Sequence, residues 1–184
     1  MTAVSTCALA LAACGGGERQ DENEPEGNFV VDVTEAKFPE KQALARQEKL
    51  TLRVRNADTK PIPNVAVTVD GFSRDTEQAG VADPDRPVWI IDNGPKGGTT
   101  AYVGTWALGA LRPGEEKEFT WRVTAVEPGS HKVSYRVSAG LDGKAKATLE
   151  GGGVPEGAFD VRISDEPAQS RVDPETGDVV RETD

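Results

Sequence analysis

The sequence has 184 residues, with 31 acidic and 21 basic side chains and a formal net charge of −10. This acidity argues against a protein that binds nucleic acid by neutralising phosphates. Glycine and proline occupy 20 and 12 positions, and only 36% of the residues are hydrophobic. That composition favours short strands joined by turns over long helices and is typical of one domain.

The charge is concentrated at the two ends of the chain. Residues 15–28 carry a net charge of −4 and residues 165–184 carry −5, whereas residues 29–164 carry −1 and contain all the aromatic side chains. Charged segments with few apolar residues bury too little surface to fold. We therefore predict a folded domain at residues 29–164, between an acidic, glycine-rich tether at 14–28 and an acidic tail at 165–184. The tail is expected to be disordered, with a loose hairpin around residues 173–177 as the alternative.

The first fourteen residues, MTAVSTCALALAAC, contain no charged side chain and end in small residues. This apolar run is shorter than the roughly 20 residues that cross a bilayer as a helix, and it is typical of a secretion signal. Its last four residues, LAAC, resemble the lipobox of bacterial lipoproteins. The resemblance implies that segment 1–13 is cleaved between Ala13 and Cys14 and that Cys14 is acylated. Such signals normally begin with Lys or Arg and none precedes Cys14, so the true start codon is expected upstream of Met1.

The two cysteines fit the same interpretation. Cys7 would leave with the signal and Cys14 would carry the acyl chains, so no thiol would remain for a disulfide, a zinc site or a nucleophile. Two acyl chains hold a soluble domain stably on a membrane. The sequence thus predicts a lipid-anchored protein on the extracytoplasmic face of the cell membrane. The alternative is a cytosolic chain whose N-terminus is apolar by chance.

From residue 29 onward, apolar and polar side chains alternate with the period of two that is typical of strands with one buried face. The segments with this pattern are 29–33, 50–55, 65–70, 88–91, 102–106, 119–124, 132–137, 145–149 and 159–163. Asp-Gly and Pro-Gly pairs at residues 70–71, 113–114 and 128–129 separate several of them. We therefore predict an all-β protein, an antiparallel β-sandwich of about eight or nine strands. Only residues 42–47 are compatible with a single helical turn.

Four segments carry a second resemblance: LTLRVRN at 50–56, PNVAVTV at 63–69, WALGALRPGE at 106–115 and FTWRV at 119–123. A strand that ends in Asn at a turn, a valine-rich strand and a Pro-Gly-Glu turn before the next strand resemble bacterial immunoglobulin-like envelope modules. These include CARDB-type and conserved-repeat domains. The resemblance spans about residues 48–140 and implies an immunoglobulin-like sandwich. The chain differs from those modules in having a single copy and a long glycine- and proline-rich excursion at residues 73–105.

Few residues suggest enzyme chemistry. The only histidine, His131, follows a Pro-Gly turn, where we expect it to be exposed, and Ser130 beside it would lie on the opposite face of a strand. We therefore predict no catalytic residue, no cofactor and no enzyme activity. Asp83, Asp85 and Asp92 offer oxygen ligands of the kind that Ca²⁺ prefers, but they lack EF-hand spacing. They are weak calcium candidates, and we predict no metal site.

The candidate binding surface consists of three aromatic residues. Trp89 and Tyr102 lie within the excursion, and Trp106 directly follows it. Exposed rings stack on sugar rings or on the anchor residues of a partner protein. The favoured alternative is that Trp89 and Trp106 fill the core, because the domain has few aromatic side chains.

These observations predict a lipid-anchored envelope protein with a non-enzymatic β-sandwich that has a structural role or binds envelope proteins or glycans. Its predicted contacts are the membrane, through the anchor, and such partners, but not nucleic acid. The alternative is a solute- or ion-binding accessory lipoprotein that uses residues 73–105, and a hydrolase is the third hypothesis.

Overall fold

A computed structural model describes residues 23–75, 85–167, 170–172, 174–176 and 179–181. This part of the chain contains fifteen strands and no helix. In chain order the strands are β1 (Gly27–Lys37), β2 (Lys41–Leu44), β3 (Gln47–Asn56), β4 (Ala66–Asp70), β5 (Ser73–Asp75), β6 (Asp85–Pro87), β7 (Trp89–Asn93), β8 (Thr99–Tyr102), β9 (Thr105–Ala107), β10 (Glu116–Ala125), β11 (Gly129–Ser138), β12 (Ala145–Thr148), β13 (Glu156–Pro167), β14 (Ser170–Val172) and β15 (Val179–Arg181).

Eleven of these strands form the two sheets of a β-sandwich. The first sheet has the order β12–β1–β3–β10–β7, and the second has the order β2–β13–β11–β4–β9–β8. The neighbours β1–β3–β10 in one sheet and β13–β11–β4 in the other reproduce the arrangement of strands A, B and E and strands G, F and C of immunoglobulin-like domains. The predicted immunoglobulin-like, all-β sandwich is therefore confirmed.

The strand count and strand directions differ from the prediction. Segment 102–106 is not one strand but spans the turn of the β8–β9 hairpin, where Gly104 adopts a φ of 69°. Residues 42–47 are not a helical turn, since they contain the last three residues of β2, a turn at Ala45 with a φ of 60° and the start of β3. The sheets are mixed rather than purely antiparallel, because β12 pairs with β1 and β2 pairs with β13 in parallel.

The hydrophobic core lies between the two sheets and uses the side chains that the alternation predicts. The inward residues of the central strands are buried or half-buried. Leu50, Leu52, Val54, Phe119, Trp121 and Val123 from the first sheet face Val67, Val69, Val133, Val137, Val161 and Ile163 from the second. Burial of each large apolar side chain contributes about 1.5–3 kcal/mol. This shared core holds the two sheets together.

The excursion joins both sheets at one side of the sandwich. After β4 in the second sheet, the chain forms the β5–β6 pair, adds β7 to the first sheet beside β10, and returns as the β8–β9 hairpin beside β4. Residues 76–84 within it lie outside the described part of the chain. The excursion thus supplies an edge strand to each sheet, β7 to the first and β8 to the second.

The described ends extend beyond the predicted limits of 29–164. β1 begins at Gly27, and β13 continues to Pro167. In the tail, β14 and β15 pair antiparallel, which is the hairpin alternative rather than the expected disorder. The predicted signal segment 1–13, with Ala13, and the acylation site Cys14 lie outside the described residues. Within the described ranges, no helix is long and apolar enough to span a bilayer.

Candidate functional site

Trp89 lies at the start of β7 and is only 1% exposed. Its indole N–H donates a hydrogen bond of 2.7 Å to the side-chain oxygen of Gln42, whose amide nitrogen donates one of 2.9 Å to the Pro39 carbonyl. The rings around it belong to Phe38, Phe72 and His131, with centroids 5.6, 6.3 and 5.6 Å away. Trp89 is therefore the centre of an aromatic cluster in the core.

His131 belongs to that cluster and is not the exposed turn residue that we expected. Because β11 already begins at Gly129, the strand alternation turns the His131 side chain inward, against Trp89. Ser130, the preceding residue, is exposed. The two side chains therefore lie on opposite faces of β11, as the alternation predicts.

Trp106 is also buried, in β9. Its ring meets the ring of Trp121 edge to face, with centroids 5.4 Å apart and an interplanar angle of 81°. Gly94 approaches it so closely that a Cβ atom at that position would lie 3.0 Å from the Trp106 indole nitrogen. Trp89 and Trp106 thus fill the core instead of forming an exposed surface. Of the three candidate aromatic residues only Tyr102, which is 49% exposed, remains at the surface.

Exposed apolar side chains are concentrated on the excursion. Among the described residues, seven large hydrophobic side chains are exposed, and four of them, Ile90, Ile91, Tyr102 and Val103, lie in β7 and at the β8–β9 turn. Val103 is fully exposed at that turn. Edge strands also present backbone N–H and C=O groups that no neighbouring strand pairs. We call β7 together with residues 99–105 the excursion edge.

A β-bulge shapes the β7 part of the excursion edge. Arg122 lies opposite Asn93 and Val123 lies opposite Ile91, so Asp92 is an extra residue in β7. The Asp92 carboxylate accepts hydrogen bonds from the Gln47 side chain, at 3.0 Å, and from the Thr124 hydroxyl, at 2.7 Å. Asp92 therefore stabilises the bulge and ties β7 to the first sheet.

The three calcium candidates are not brought together as a described site. Asp83 lies outside the described residues, and the side chain of Asp85 is not described. Asp92 has the two hydrogen-bond donors named above. In the described ranges, no group of three or more His, Cys, Asp and Glu side chains could hold a metal ion.

The outer face of the first sheet is polar and paired. Arg53 contacts Glu118 at 2.8 Å and Glu35 at 3.1 Å, and Arg55 contacts Asp32 at 2.8 Å. The hydrogen bond from Arg53, with a second from Thr120, lowers the pKa of Glu118 below its ordinary value. Opposite charges here neutralise one another across β1, β3 and β10, so this face differs in character from the apolar excursion edge.

The second sheet has a polar groove of about 560 Å³ on β4, β11 and β13. Its lining includes Asp70, Ser134 and the Arg136–Glu156 ion pair, whose atoms are 3.0 Å apart. Tyr135 is its only aromatic lining residue. That ring is half-buried, packs closely against Gly157 and lies 5.7 Å from the ring of Phe159. Burial raises the pKa of the Tyr135 hydroxyl. The groove thus offers polar groups without a fully exposed ring on which a sugar would stack.

Asn56 is a structural residue, although the sequence indicates only that it ends a strand. Its side-chain nitrogen donates to the carbonyls of Lys60, at 3.0 Å, and Leu111, at 2.8 Å, while its oxygen accepts from the Asp58 amide at 2.9 Å. The Asn at the end of the LTLRVRN segment therefore fastens the turn after β3 to the chain before β10. The LTLRVRN motif indicates where Asn56 lies but not which groups it forms hydrogen bonds with.

No protein-family model and no curated protein matches the sequence. Solved structures that match the fold include a CARDB domain from Pyrococcus furiosus in complex with di-metal ions, at 15% identity and a TM-score of 0.45, covering 76% of this chain and 93% of that one. An alpha-2-macroglobulin from Salmonella matches at 19% identity and a TM-score of 0.41, over 77% of this chain and 7% of that one. A PapD-like domain of human CEP192 matches at 9% identity and a TM-score of 0.38, over 91% and 100%. At identities of 9 to 19%, these matches carry no information about the function of this chain.

Proposed function

We propose that this protein is a lipid-anchored, extracytoplasmic protein of the bacterial cell envelope whose β-sandwich binds a partner protein without catalysis. The observation that carries the binding proposal is the excursion edge, where Ile90 and Ile91 are exposed on β7, Tyr102 on β8 and Val103 in the turn after β8. Clustered exposed apolar side chains are a feature of protein interaction sites.

The chemistry of the excursion edge favours a protein over a glycan. Isoleucine and valine side chains bind by excluding water and make no hydrogen bonds with sugar hydroxyls. Among the described residues, no strand pairs with the outer side of β7 or of β8, although the Trp89 amide at the start of β7 bonds the Phe72 carbonyl. These outer sides can add an extended strand from a partner, in which main-chain hydrogen bonds supply affinity and apolar side chains supply specificity. The polar groove on the second sheet is less suited to a sugar, because its aromatic residue, Tyr135, is half-buried.

The lipobox supports the anchoring part of the proposal. The sequence LAAC ends an uncharged run, and the acidic, glycine-rich stretch that follows is typical of a tether between a lipid anchor and a domain. The two cysteines are also consistent with export. Cys7 would be removed with the signal and Cys14 would be acylated, so neither thiol would remain for another function.

Fractionation of cells that produce the Cys14→Ser variant tests the anchor. We expect the wild-type protein in the membrane fraction, with the mass of an acylated Cys14 at its N-terminus, and the variant in the soluble fraction. Cys7→Ser is the matched control, because it removes a thiol from the segment that would be cleaved and should leave anchoring unchanged. A variant that stays on the membrane, together with a wild-type chain without acyl mass, would refute the anchor.

Photo-crosslinking in cells tests the binding surface. A photoreactive side chain at Val103 should form a discrete crosslink to another protein, and the same group at Val154 should not. Val154 is the control because it is also exposed, at 52%, but lies outside the excursion edge. Equal crosslinks from both positions would refute a specific surface. The absence of protein crosslinks, combined with retention of the protein on isolated cell-wall glycan, would replace a protein partner with a glycan.

A further inference from the structure

The loop between β11 and β12 surrounds the carboxylate of Glu24, a residue of the acidic stretch before β1. One oxygen, Oε2, accepts hydrogen bonds from the backbone N–H groups of Leu141 and Asp142, the latter at 2.8 Å. The other, Oε1, accepts one of 2.7 Å from the backbone N–H of Ala145. Three converging backbone donors therefore hold one carboxylate, across a sequence separation of 117 to 121 residues.

Gly140 makes room for this carboxylate. A Cβ atom on Gly140 would overlap the Glu24 carboxyl group, whose atoms are its nearest neighbours. Gly140 itself is buried. Successive backbone N–H groups in a turn form a concave site for anions, and a charged acceptor strengthens each hydrogen bond. The loop thus combines fixed donors with a space that fits a carboxylate and that any larger residue at position 140 would fill.

The donors are held in place by the neighbouring sheet. The Gly27 amide donates a hydrogen bond of 3.1 Å to the Lys144 carbonyl, and parallel pairing of β1 with β12 continues from Gly27 opposite Ala145. The loop therefore does not depend on Glu24 alone for its position. A cavity of about 480 Å³, lined in part by Gly140, Leu141 and Ala145, adjoins the donors.

Of the acids in the stretch before β1, the structure describes Glu24 and Glu26, and these two differ. Five acids, Glu18, Asp21, Glu22, Glu24 and Glu26, lie between residues 15 and 28. Glu26, two residues further on, is exposed, whereas Glu24 is half-buried in the loop. The same charge on a neighbouring residue does not make these contacts.

We propose that loop 140–145 is a carboxylate-binding site, that Glu24 occupies it as an internal ligand, and that the site accepts an external carboxylate once the Glu24 side chain is removed. This inference does not depend on acylation of Cys14 or on the excursion edge. Glu24 and Gly140 act as one unit, because the Glu24 carboxylate fills the space that the missing side chain of Gly140 leaves.

A double-mutant cycle on the full-length chain tests the unit. Glu24→Ala and Gly140→Ala should each lower the melting temperature by a similar amount, because the first removes the carboxylate and the second expels it. The double variant should be no less stable than the less stable single variant. Glu26→Ala is the matched control and should melt like the wild type. Additive losses in the double variant, or single variants that melt like the wild type, would overturn the proposal.

Acetate then tests the site itself. Sodium acetate, compared with sodium chloride at the same ionic strength, should raise the melting temperature of Glu24→Ala but not of the wild type or of Glu24→Ala/Gly140→Ala, where a methyl group fills the space. An equal effect of acetate on all three proteins would contradict a defined site.

Hydrogen exchange provides a measurement that does not depend on how stable the alanine variants are. In Glu24→Gln, the amide hydrogens of Leu141, Asp142 and Ala145 should exchange faster by roughly tenfold or more, because each loses a charged acceptor. Glu26→Gln should leave them unchanged. Unaltered protection of these amides in Glu24→Gln would overturn the proposal.

Discussion

Replacement of Asn56 tests how much a single buried side chain contributes to this sandwich. Asn56 is 1% exposed, and its amide group makes hydrogen bonds with Lys60, Leu111 and Asp58. Each hydrogen bond contributes about 1 kcal/mol net, so Asn56→Ala should lower the free energy of unfolding by about 3 kcal/mol. Asn64 is a matched control, because its side-chain oxygen accepts one hydrogen bond, 2.9 Å from the Gly109 amide. Asn64→Ala should cost about 1 kcal/mol.

Asn56→Asp keeps the shape of the side chain and changes only its chemistry. An ionised carboxyl group here would face the carbonyl oxygens of Lys60 and Leu111, from which the amide nitrogen now lies 3.0 and 2.8 Å away. Burial and these oxygens disfavour the ionised form, so the introduced carboxyl should have a folded-state pKa above its unfolded value of about 3.9. Each unit of that difference costs about 1.4 kcal/mol at neutral pH.

The sign of the pH effect follows from that difference. An acid whose pKa is raised by folding destabilises the folded state above its folded pKa, and this penalty disappears as the pH falls to the unfolded pKa. In urea denaturation at pH 7, Asn56→Asp should therefore have a lower free energy of unfolding than Asn56→Ala. The difference between the two variants should shrink at pH 4.5. Comparison at each pH cancels the titration of the other carboxylates. Equal costs for the Asn56→Ala and Asn64→Ala variants, or a gap that does not change with pH, would refute this reasoning.

Three further predictions concern the core, the charged face and the excursion edge. Gln42→Leu removes the acceptor of the buried Trp89 N–H and should cost about 1–3 kcal/mol in thermal unfolding, whereas retention of wild-type stability would mean that the hydrogen bond is unimportant. Arg53→Gln removes the main cause of the lowered pKa of Glu118, so NMR titration should show that pKa rising. The contact of Arg53 with Glu118 stabilises the fold only above the folded-state pKa of Glu118. The free energies of unfolding of the wild type and of Arg53→Gln should therefore converge as the pH falls through that pKa. Val103→Ser, at a fully exposed side chain, should change stability by less than about 0.5 kcal/mol, and a larger loss would show that Val103 has a packing role.

The alternation of side chains was sufficient to assign the central strands and their faces. Leu50, Leu52 and Val54 are fully buried, as predicted, while Arg53 and Arg55 lie on the outer face. A period of two determines which side chains share a face, because successive residues of a strand point in opposite directions. It carries no information about the neighbouring strand, so the parallel partners of β1 and β13 could not be derived from it.

The edges and the long-range polar contacts needed the three-dimensional structure. Trp89 and Trp106 were compatible with either an exposed surface or the core, since the path of the excursion decides which sheet covers each ring. Ala45, in the turn after β2, adopts a left-handed conformation that its residue type does not predict. Glu24 resembles the other acids near it in sequence, and only a loop more than one hundred residues away distinguishes it.

Fixation of Glu24 also limits how far the sandwich can stand from a membrane. If Cys14 carries acyl chains, residues 15–23 separate the acylated residue from Glu24. Nine residues span at most about 30 Å when fully extended. The sandwich would then work in a thin layer next to the lipid surface. Its partners would have to be membrane proteins or proteins that approach the membrane closely, and lengthening the tether should change which of them it reaches.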